Sequence, residues 1–345
     1  MTEKTITLDQ LDHQLLQALQ LDPRVPFARF AQLVDVSEQT VARRYRRLRM
    51  AGVVRVVGMI DPVPLGETPW MVRIQCRPDA TLALADALAR RPDVGWVNLG
   101  SGGSEIACVI RSRTSRQRDE LLLQRLPKTA QVISLSAHSM LHRFDAAVAW
   151  TTGGVRLSSE QSAGLMAQAI GGGVRPGSNW SAEPAETPLE LTPEDDAMID
   201  ELAVDGRSPI SRLAEVTGWT PARVHRRLDE LVRLGLLYFD AEVALMPIGF
   251  RSSAFLWITV PAGRLHATGE ALAAHDEAVF VAATTGPTNL IASVACRNSA
   301  HLYRYVTESL GALDLSGLEV APNLRRIKQG GTMMVDNRLV VSPLS

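Results

Sequence analysis

The stretch SEQTVARRYRRLRMAG, residues 37–52, decides how the rest of the chain is read. Ser37 is a natural N-cap, because its hydroxyl can accept an amide that the first helical turn leaves unpaired. A helix over Glu38–Met50 follows, stopped by Gly52 in the left-handed conformation that helix ends favour. Val41, Tyr45 and Leu48 form an inward stripe at helical spacing, with Arg43, Arg44, Arg46, Arg47 and Arg49 outside it. Working backwards, Pro26–Val34 reads as a shorter helix burying Phe27, Phe30, Ala31 and Val34. Before it, Leu8, Leu11, Leu15, Leu16 and Leu19 mark a first helix, with Asp9 and Asp12 at its electropositive start. A strand-like run, Val53–Ile60, follows the arginine helix. Three short helices with a tight turn before the third describe a helix-turn-helix. In that use the leading end of the third helix, opened by Ser37, enters the major groove. Gln39, Thr40 and Arg43 then reach base edges, and Arg44 and Arg47 neutralise phosphates.

The same design is written again. Sliding the chain by 183 residues sets Leu8–Gly66 on Leu191–Gly249 without a gap, and 15 of the 59 positions are identical. Average residue usage would give roughly four, so the chain is a duplication. The identities include Asp12/Asp195, Arg24/Arg207, Val41/Val224, Arg43/Arg226, Arg44/Arg227 and Gly52/Gly235. In the second copy Thr192-Pro193 caps the first helix and Thr220-Pro221 the third, with proline where its missing N–H costs nothing. Val224, Leu228 and Leu231 point inward; Arg223, Arg226, Arg227 and Arg233 point outward and make Thr220, Arg223, Arg226 and Arg227 the second DNA-facing set. His225 is either a further DNA contact or a plain surface histidine.

Charge follows the same division. The chain of 345 residues has a net charge of −1, which by itself speaks against a nucleic-acid partner. Residues 24–55, however, hold eight Arg against Asp35 and Glu38, a balance of +6, and the matched window 207–238 holds +3, leaving −10 for everything else. That segregation is the footprint of a basic DNA-reading unit beside an acidic body. A 46% hydrophobic content excludes wholesale disorder, and the length implies at least two domains. No apolar run approaches the roughly 18 residues of a membrane helix. Cys76, Cys108 and Cys296 form no C-x-x-C pair, which suits a reducing cytoplasm and argues against disulfides or a zinc site.

Beyond Gly66 the pattern changes to short β-rich runs and helices. Trp70–Arg77, Val94–Leu99, Ile106–Arg111 and Val132–His142 read as strands, Thr81–Arg90 and Ser115–Leu126 as helices. The second copy repeats this with strands Ala254–Val260, Val279–Ala283, Leu290–Cys296 and Leu318–Ile327, and helices Arg264–Ala274 and Ala300–Leu310. The order βαββαβ is ferredoxin-like, and its bare sheet face invites a second such sheet. Between the copies a Gly-, Ser- and Pro-rich linker contains one short helix, Ser159–Ile170, opened by the capping-box spacing of Ser158 and Gln161. The expected organisation is an α+β chain. Its parts are a helix-turn-helix at 1–61, a ferredoxin-like domain at 62–149, a linker at 150–190, a second helix-turn-helix at 191–245, a second ferredoxin-like domain at 246–329 and a tail at 330–345.

The ordered set Leu8-Asp9, Asp12, Arg24, Leu33, Ser37, Val41, Arg44, Leu48 and Gly52-Val53-Val54, followed by βαββαβ with a glycine turn between its central strands, resembles the Lrp/AsnC (feast/famine) transcriptional regulators. The resemblance covers both copies. It implies winged-type helix-turn-helix domains, sheets paired as a dimeric α/β barrel, double-stranded DNA as partner, self-association through the βαββαβ domains, and an amino acid or related metabolite as effector. The effector turn corresponds to Ser101, Gly102, Gly103 and Glu105 in copy one, and to Gly286, Thr288 and Asn289 in copy two. A bound ammonium needs a carboxylate, which Glu105 supplies and Asn289 does not, so the first turn is favoured. Either turn is equally readable as an ordinary hairpin loop.

No H-E-x-x-H, G-x-S-x-G or P-loop motif is present, and no catalytic residue, metal or cofactor is expected. Siroheme decarboxylases resemble the same two-domain plan; that reading would draw on His138, His142 and Arg143. An effector-free architectural DNA-binding protein is the other alternative.

Overall fold

Glu38–Met50 is a helix (α3) with the bounds that the spacing predicts, and Ser37 Oγ accepts the Thr40 amide at 3.2 Å. It packs on α1 (Gln10–Leu21) and α2 (Phe27–Leu33), with Leu15, Leu16, Leu19, Phe30, Val41 and Leu48 wholly buried. Truncating one such leucine to alanine would cost about 2–5 kcal/mol. The strand β1 (Val54–Ile60) and the ferredoxin-like elements β2 (Trp70–Cys76), α4 (Thr81–Ala89), β3 (Val94–Gly100), β4 (Glu105–Ile110), α5 (Ser115–Asp119) and β5 (Val132–Phe144) follow. Over Glu120–Arg125 the last helix continues with wider i to i+5 bonding. The computed structural model describes residues 6–146, 157–166 and 189–340.

The linker helix α6 (Ser159–Met166) begins with the expected reciprocal cap between Ser158 and Gln161. It docks on the first helix-turn-helix: Leu157 and Leu165 join that core, and Gln161 donates to the Leu33 carbonyl at 2.6 Å. The remainder of that helix as expected from the sequence, 167–170, lies outside the described residues. Copy two repeats the order as α7 (Pro193–Val204), α8 (Ile210–Thr217), α9 (Pro221–Arg233), β6 (Leu237–Val243), β7 (Ser252–Thr259), α10 (Leu265–Ala273), β8 (Ala278–Thr284), β9 (Leu290–Cys296), α11 (Ser299–Arg304) and β10 (Gly317–Pro322).

Two pairings fuse the copies into an intramolecular dimer. The strand after each arginine helix pairs with its counterpart, β1 against β6, antiparallel. Val57 faces Asp240, which is its own equivalent under the 183-residue shift, so the ladder straddles a pseudo-twofold axis. Below it lies one sheet of order β10-β7-β9-β8-β5-β2-β4-β3-β11, where β11 (Arg325–Arg326) continues β10 after two residues. The first part of β5 pairs with β2, and its end, Met140–Phe144, pairs with β8 of the other copy. Likewise β10 pairs with β7, and β11 pairs with Leu99 and Asn98 of β3. The sheet therefore closes into a barrel, with no free edge left for another strand to extend. Its interior holds Met71, Ala107, Val109, Met140, Phe255, Trp257 and Ile291, contributed by both copies.

The region read from the sequence as a tail is folded over its described part. β12 (Lys328–Gln329), β13 (Thr332–Val335) and β14 (Arg338–Val340) form a small sheet. Asp336 and Asn337, with φ of 48° and 59°, make the tight turn between the last two strands. Met334 and Leu339 pack on Ala244, the Leu339 amide donates to the Gly52 carbonyl at 2.9 Å, and Arg338 donates to the Ala51 carbonyl at 2.7 Å. The hairpin thus pins the end of α3 and β6.

Candidate nucleic-acid interface

The arginines that give the two helix-turn-helix segments their charge divide sharply by what they touch. Arg44 reaches Asp9 and Asp12, and Arg47 also reaches Asp12, whose carboxylate is fully buried at the start of α1. Arg227, the equivalent of Arg44, grips the equally buried Asp195 with two bonds of 2.8 and 2.7 Å. Those hydrogen bonds lower the Asp195 pKa against the burial that raises it, and hold the Arg227 guanidinium charged. Arg44, Arg47 and Arg227 therefore bolt the third helix to the first, where Arg44 and Arg47 were expected at phosphates and Arg227 in the second DNA-facing set.

Arg24 and Arg207 are bolts of another kind. Arg24 donates to the Gly206 carbonyl at 2.6 Å and lies 4.9 Å from the Phe239 ring centre. Arg207 donates to Pro23 and Val25 at 2.7 and 2.8 Å and lies 4.4 Å from the Phe27 ring. Arg49 pairs with Asp205 of the other copy at 2.9 Å, Arg55 donates to Val204, Arg29 to Gly164, and Arg212 pairs with Glu201 and Glu215. Part of the local excess of positive charge is thus neutralised by Asp9, Asp12, Asp195, Glu201 and Asp205, carboxylates outside residues 24–55 and 207–238.

What remains is a short set on the outer faces of α3 and α9. Arg43 and Arg46 in copy one, and Arg226 and Arg233 in copy two, are exposed and have no described internal partner. Gln39 is exposed beside Arg43, whereas the Thr40 hydroxyl is 2.9 Å from Ser37 Oγ at the cap. Ser37 and Thr220 accept the amides of Thr40 and Arg223, so their side chains are spent on helix starts. Arg223 stacks 4.3 Å from the Trp219 ring centre, and His225 sits 3.0 Å from Asp229 on the outer face.

The second candidate region lies in the barrel. Glu105 is buried, and its carboxylate is 2.8 Å from Arg73, which also holds Glu319 and stacks 4.4 Å from Trp257. It is not the unpaired anion that an ammonium would need, which corrects the role expected of it. Arg73 was missed in the sequence, although a charge at the centre of the strand Trp70–Cys76 is the sign of a buried partner. Ser101, Gly102 and Gly103 form a turn with φ of 47°, 68° and 90°, and Gly103 faces Leu324 of the other copy. The matching turn also meets the opposite copy: a side chain at Gly286 would strike the His138 ring, whose Nδ1 is 2.9 Å from the Thr285 carbonyl. The Thr288 carbonyl accepts from Thr284, and the Asn289 amide is tied to both backbone groups of Val260. Both turns therefore line the seam between copies.

His138, His142 and Arg143 do not converge on one point. His142 stacks on Phe144 at 4.6 Å, with burial and the neighbouring His266 lowering its pKa, while Arg143 lies over Phe280. Among the described residues no group of three or more His, Cys, Asp or Glu is placed to hold a metal ion. Cys76, Cys108 and Cys296 are buried free thiols, and burial pushes Cys108 up to about 12. Among the described residues no helix is long and apolar enough to cross a membrane.

With this geometry in hand, the family models are decisive: the AsnC-type helix-turn-helix domain matches residues 8–49 and again 194–232, and the Lrp/AsnC ligand binding domain matches 253–333. The chain is built from Lrp/AsnC-type domains. An uncharacterized HTH-type transcriptional regulator of Pyrococcus furiosus is 28% identical to this chain over 123 residues, 35% of this chain and 83% of the relative. The HTH-type transcriptional regulator FL11 of the same organism is 27% identical over 121 residues, 35% of this chain and 80% of the relative. Each of these relatives thus spans about one of the two copies. The crystal structure of the siroheme decarboxylase NirDL matches this chain over 93% of both, with a TM-score of 0.60 at 14% identity, a likeness of fold alone.

Proposed function

We propose that this chain is a DNA-binding transcription regulator, at work in the cytoplasm, in which one polypeptide supplies both reading heads of a dimer and a small metabolite, such as an amino acid, tunes their spacing. The observation that carries this reading is the pair of outward arginines Arg43 and Arg226, equivalent by sequence, exposed, and free of described internal partners, on helices related by the β1–β6 ladder. Arg44 and Arg227 hold those helices in matching poses on buried carboxylates. Phosphates and base edges supply the charge and acceptors that the free guanidinium groups lack.

The barrel seam, where each glycine turn meets the other copy, is the place where an effector would act, since a ligand there touches both halves at once. It can shift DNA affinity only by binding one arrangement of the halves better than another. The decarboxylase plan is less well supported here, because aromatic and sulfur side chains and the Arg73 cluster fill the barrel where the copies meet.

A gel-shift assay on the gene's own upstream region, with and without a panel of amino acids, tests both parts. Retarded DNA that responds to one amino acid is the expected result. Equal retardation by the Arg43→Ala/Arg226→Ala variant would overturn the assignment of the reading surface.

A further inference from the structure

We propose that the chain reads an asymmetric operator, two inverted half-sites of different sequence; this rests on the DNA-binding reading above. A dimer of identical chains presents the same side chains twice, so its operators mirror its symmetry. Here the frame is symmetric and the tips are not. The frame is the ladder centred on Val57 and Asp240, the reciprocal clamps of Arg24 and Arg207, and the equivalent bolts Arg44–Asp12 and Arg227–Asp195. Every member of that frame is matched between copies, so α3 and α9 meet the duplex in equivalent poses.

At the leading ends, among the outward side chains without a described internal partner, only Arg43 and Arg226 agree. Gln39 is replaced by Ala222, Thr40 by Arg223 and Ala42 by His225. Further along, the free Arg46 is answered by Asp229, and Arg47 by Glu230. The chemistry of the groove then assigns different bases. An arginine pairs with the O6 and N7 acceptors of guanine, a glutamine amide with N6 and N7 of adenine, and an alanine methyl lies against the thymine methyl. The two half-sites therefore share a guanine under Arg43 and Arg226. They differ at the neighbouring position, adenine under Gln39 and thymine under Ala222. Asp229 on α9 also places a carboxylate where copy one offers a guanidinium, so the first half-site is held more strongly.

The test is enrichment of randomised duplex DNA by the full chain, followed by the same selection with Q39A and with Q39A/T40R/A42H, which gives α3 the tip residues of α9. Gln39 is exposed and without a described partner, so Q39A leaves the fold intact. For the original chain the expected motif has two inverted half-sites, with adenine beside guanine in one half only. Replacing that adenine lowers affinity roughly 5- to 150-fold, and Q39A abolishes the penalty. Q39A/T40R/A42H makes the two halves converge. A perfectly palindromic motif for the original chain overturns the inference while leaving DNA reading in place, as does an unchanged asymmetric motif for Q39A. Failure to enrich any sequence overturns the DNA-binding reading and the inference with it.

Discussion

Arg24 and Arg207, equivalent residues of the two copies, cross the molecule in opposite directions, each donating to backbone carbonyls beside the other. Each is half-buried, and each stacks on an aromatic ring of the opposite copy. Among the described residues Asp22 and Asp205 attract both charges without an ion pair at bonding distance, so carbonyl dipoles and ring faces carry the join. Hydrogen bonds to charged groups contribute about 1.5–3 kcal/mol each. Arg24→Ala or Arg207→Ala is therefore expected to destabilise the chain by about 2 kcal/mol, and the double variant by less than the sum if the clamp acts as one unit. Urea unfolding followed by circular dichroism measures this; additive losses would show two independent contacts.

Arg226 and Arg227 are neighbours with opposite duties. Arg226→Ala should weaken sequence-specific DNA binding by about 1–3 kcal/mol and leave thermal unfolding within about 0.5 kcal/mol. Arg227→Ala leaves Asp195 buried without its cation. Breaking a fully buried pair costs about 3–5 kcal/mol and a surface pair under about 1, so this partly exposed one should cost about 2 kcal/mol. Measuring melting and DNA affinity for both variants separates the two roles, and an Arg227→Ala chain with unchanged melting would refute the bolt.

Glu242 is a buried carboxylic acid at the junction of β6 and the terminal hairpin, accepting the Gly331 amide at 2.6 Å. Burial, helped by Asp240, pushes its pKa to about 8 from 4.5. Between those values the folded chain keeps a proton that the unfolded chain has released, so stability falls as pH rises through that window. The slope contributed by this group approaches about 1.4 kcal/mol per pH unit. Glu242→Gln should flatten the decline in melting temperature between pH 5 and 8 and raise stability most at pH 8. Parallel curves for the two proteins would remove Glu242 as the cause.

Gly52 and Gly218 share a positive φ, +66° and +69°, but not their surroundings. A Cβ at Gly52 would lie 2.7 Å from the Leu339 carbonyl oxygen, whereas none of the chain comes within 4 Å of one at Gly218. Gly218→Ala should cost only the backbone strain of about 1–2 kcal/mol. Gly52→Ala should cost more and also loosen the terminal hairpin. Faster amide exchange at Leu339 in Gly52→Ala alone is the expected mark; equal exchange in both variants would contradict it.

Local structure was largely legible. The bounds of α3 follow from Ser37, the Val41-Tyr45-Leu48 stripe and Gly52, because caps and periodicity act within a turn or two. The strands that both copies give to the barrel fell within a few residues of their expected spans, and bare sheet faces did pair, within one chain. Partners far apart in sequence were hidden. The arginines looked equally available, because their spacing places them all outside the apolar stripe. Only the fold brings Asp12 to Arg44, or Gly206 to Arg24. Glu105 was read as an open carboxylate for the same reason: Arg73 is 32 residues away in sequence and 2.8 Å away in space. The hairpin at 332–340 was recoverable from the alternation flanking Asp336-Asn337, and its placement against Gly52 was not.

A barrel closed by β5 on one side and β11 on the other cannot lose either of its halves. A regulator assembled from separate chains falls apart on dilution, so its grip on DNA rises with more than the first power of its concentration at scarcity. This chain carries both heads on one thread. The pairing of its two heads therefore survives dilution, and no related chain can exchange into that pair and alter what it reads.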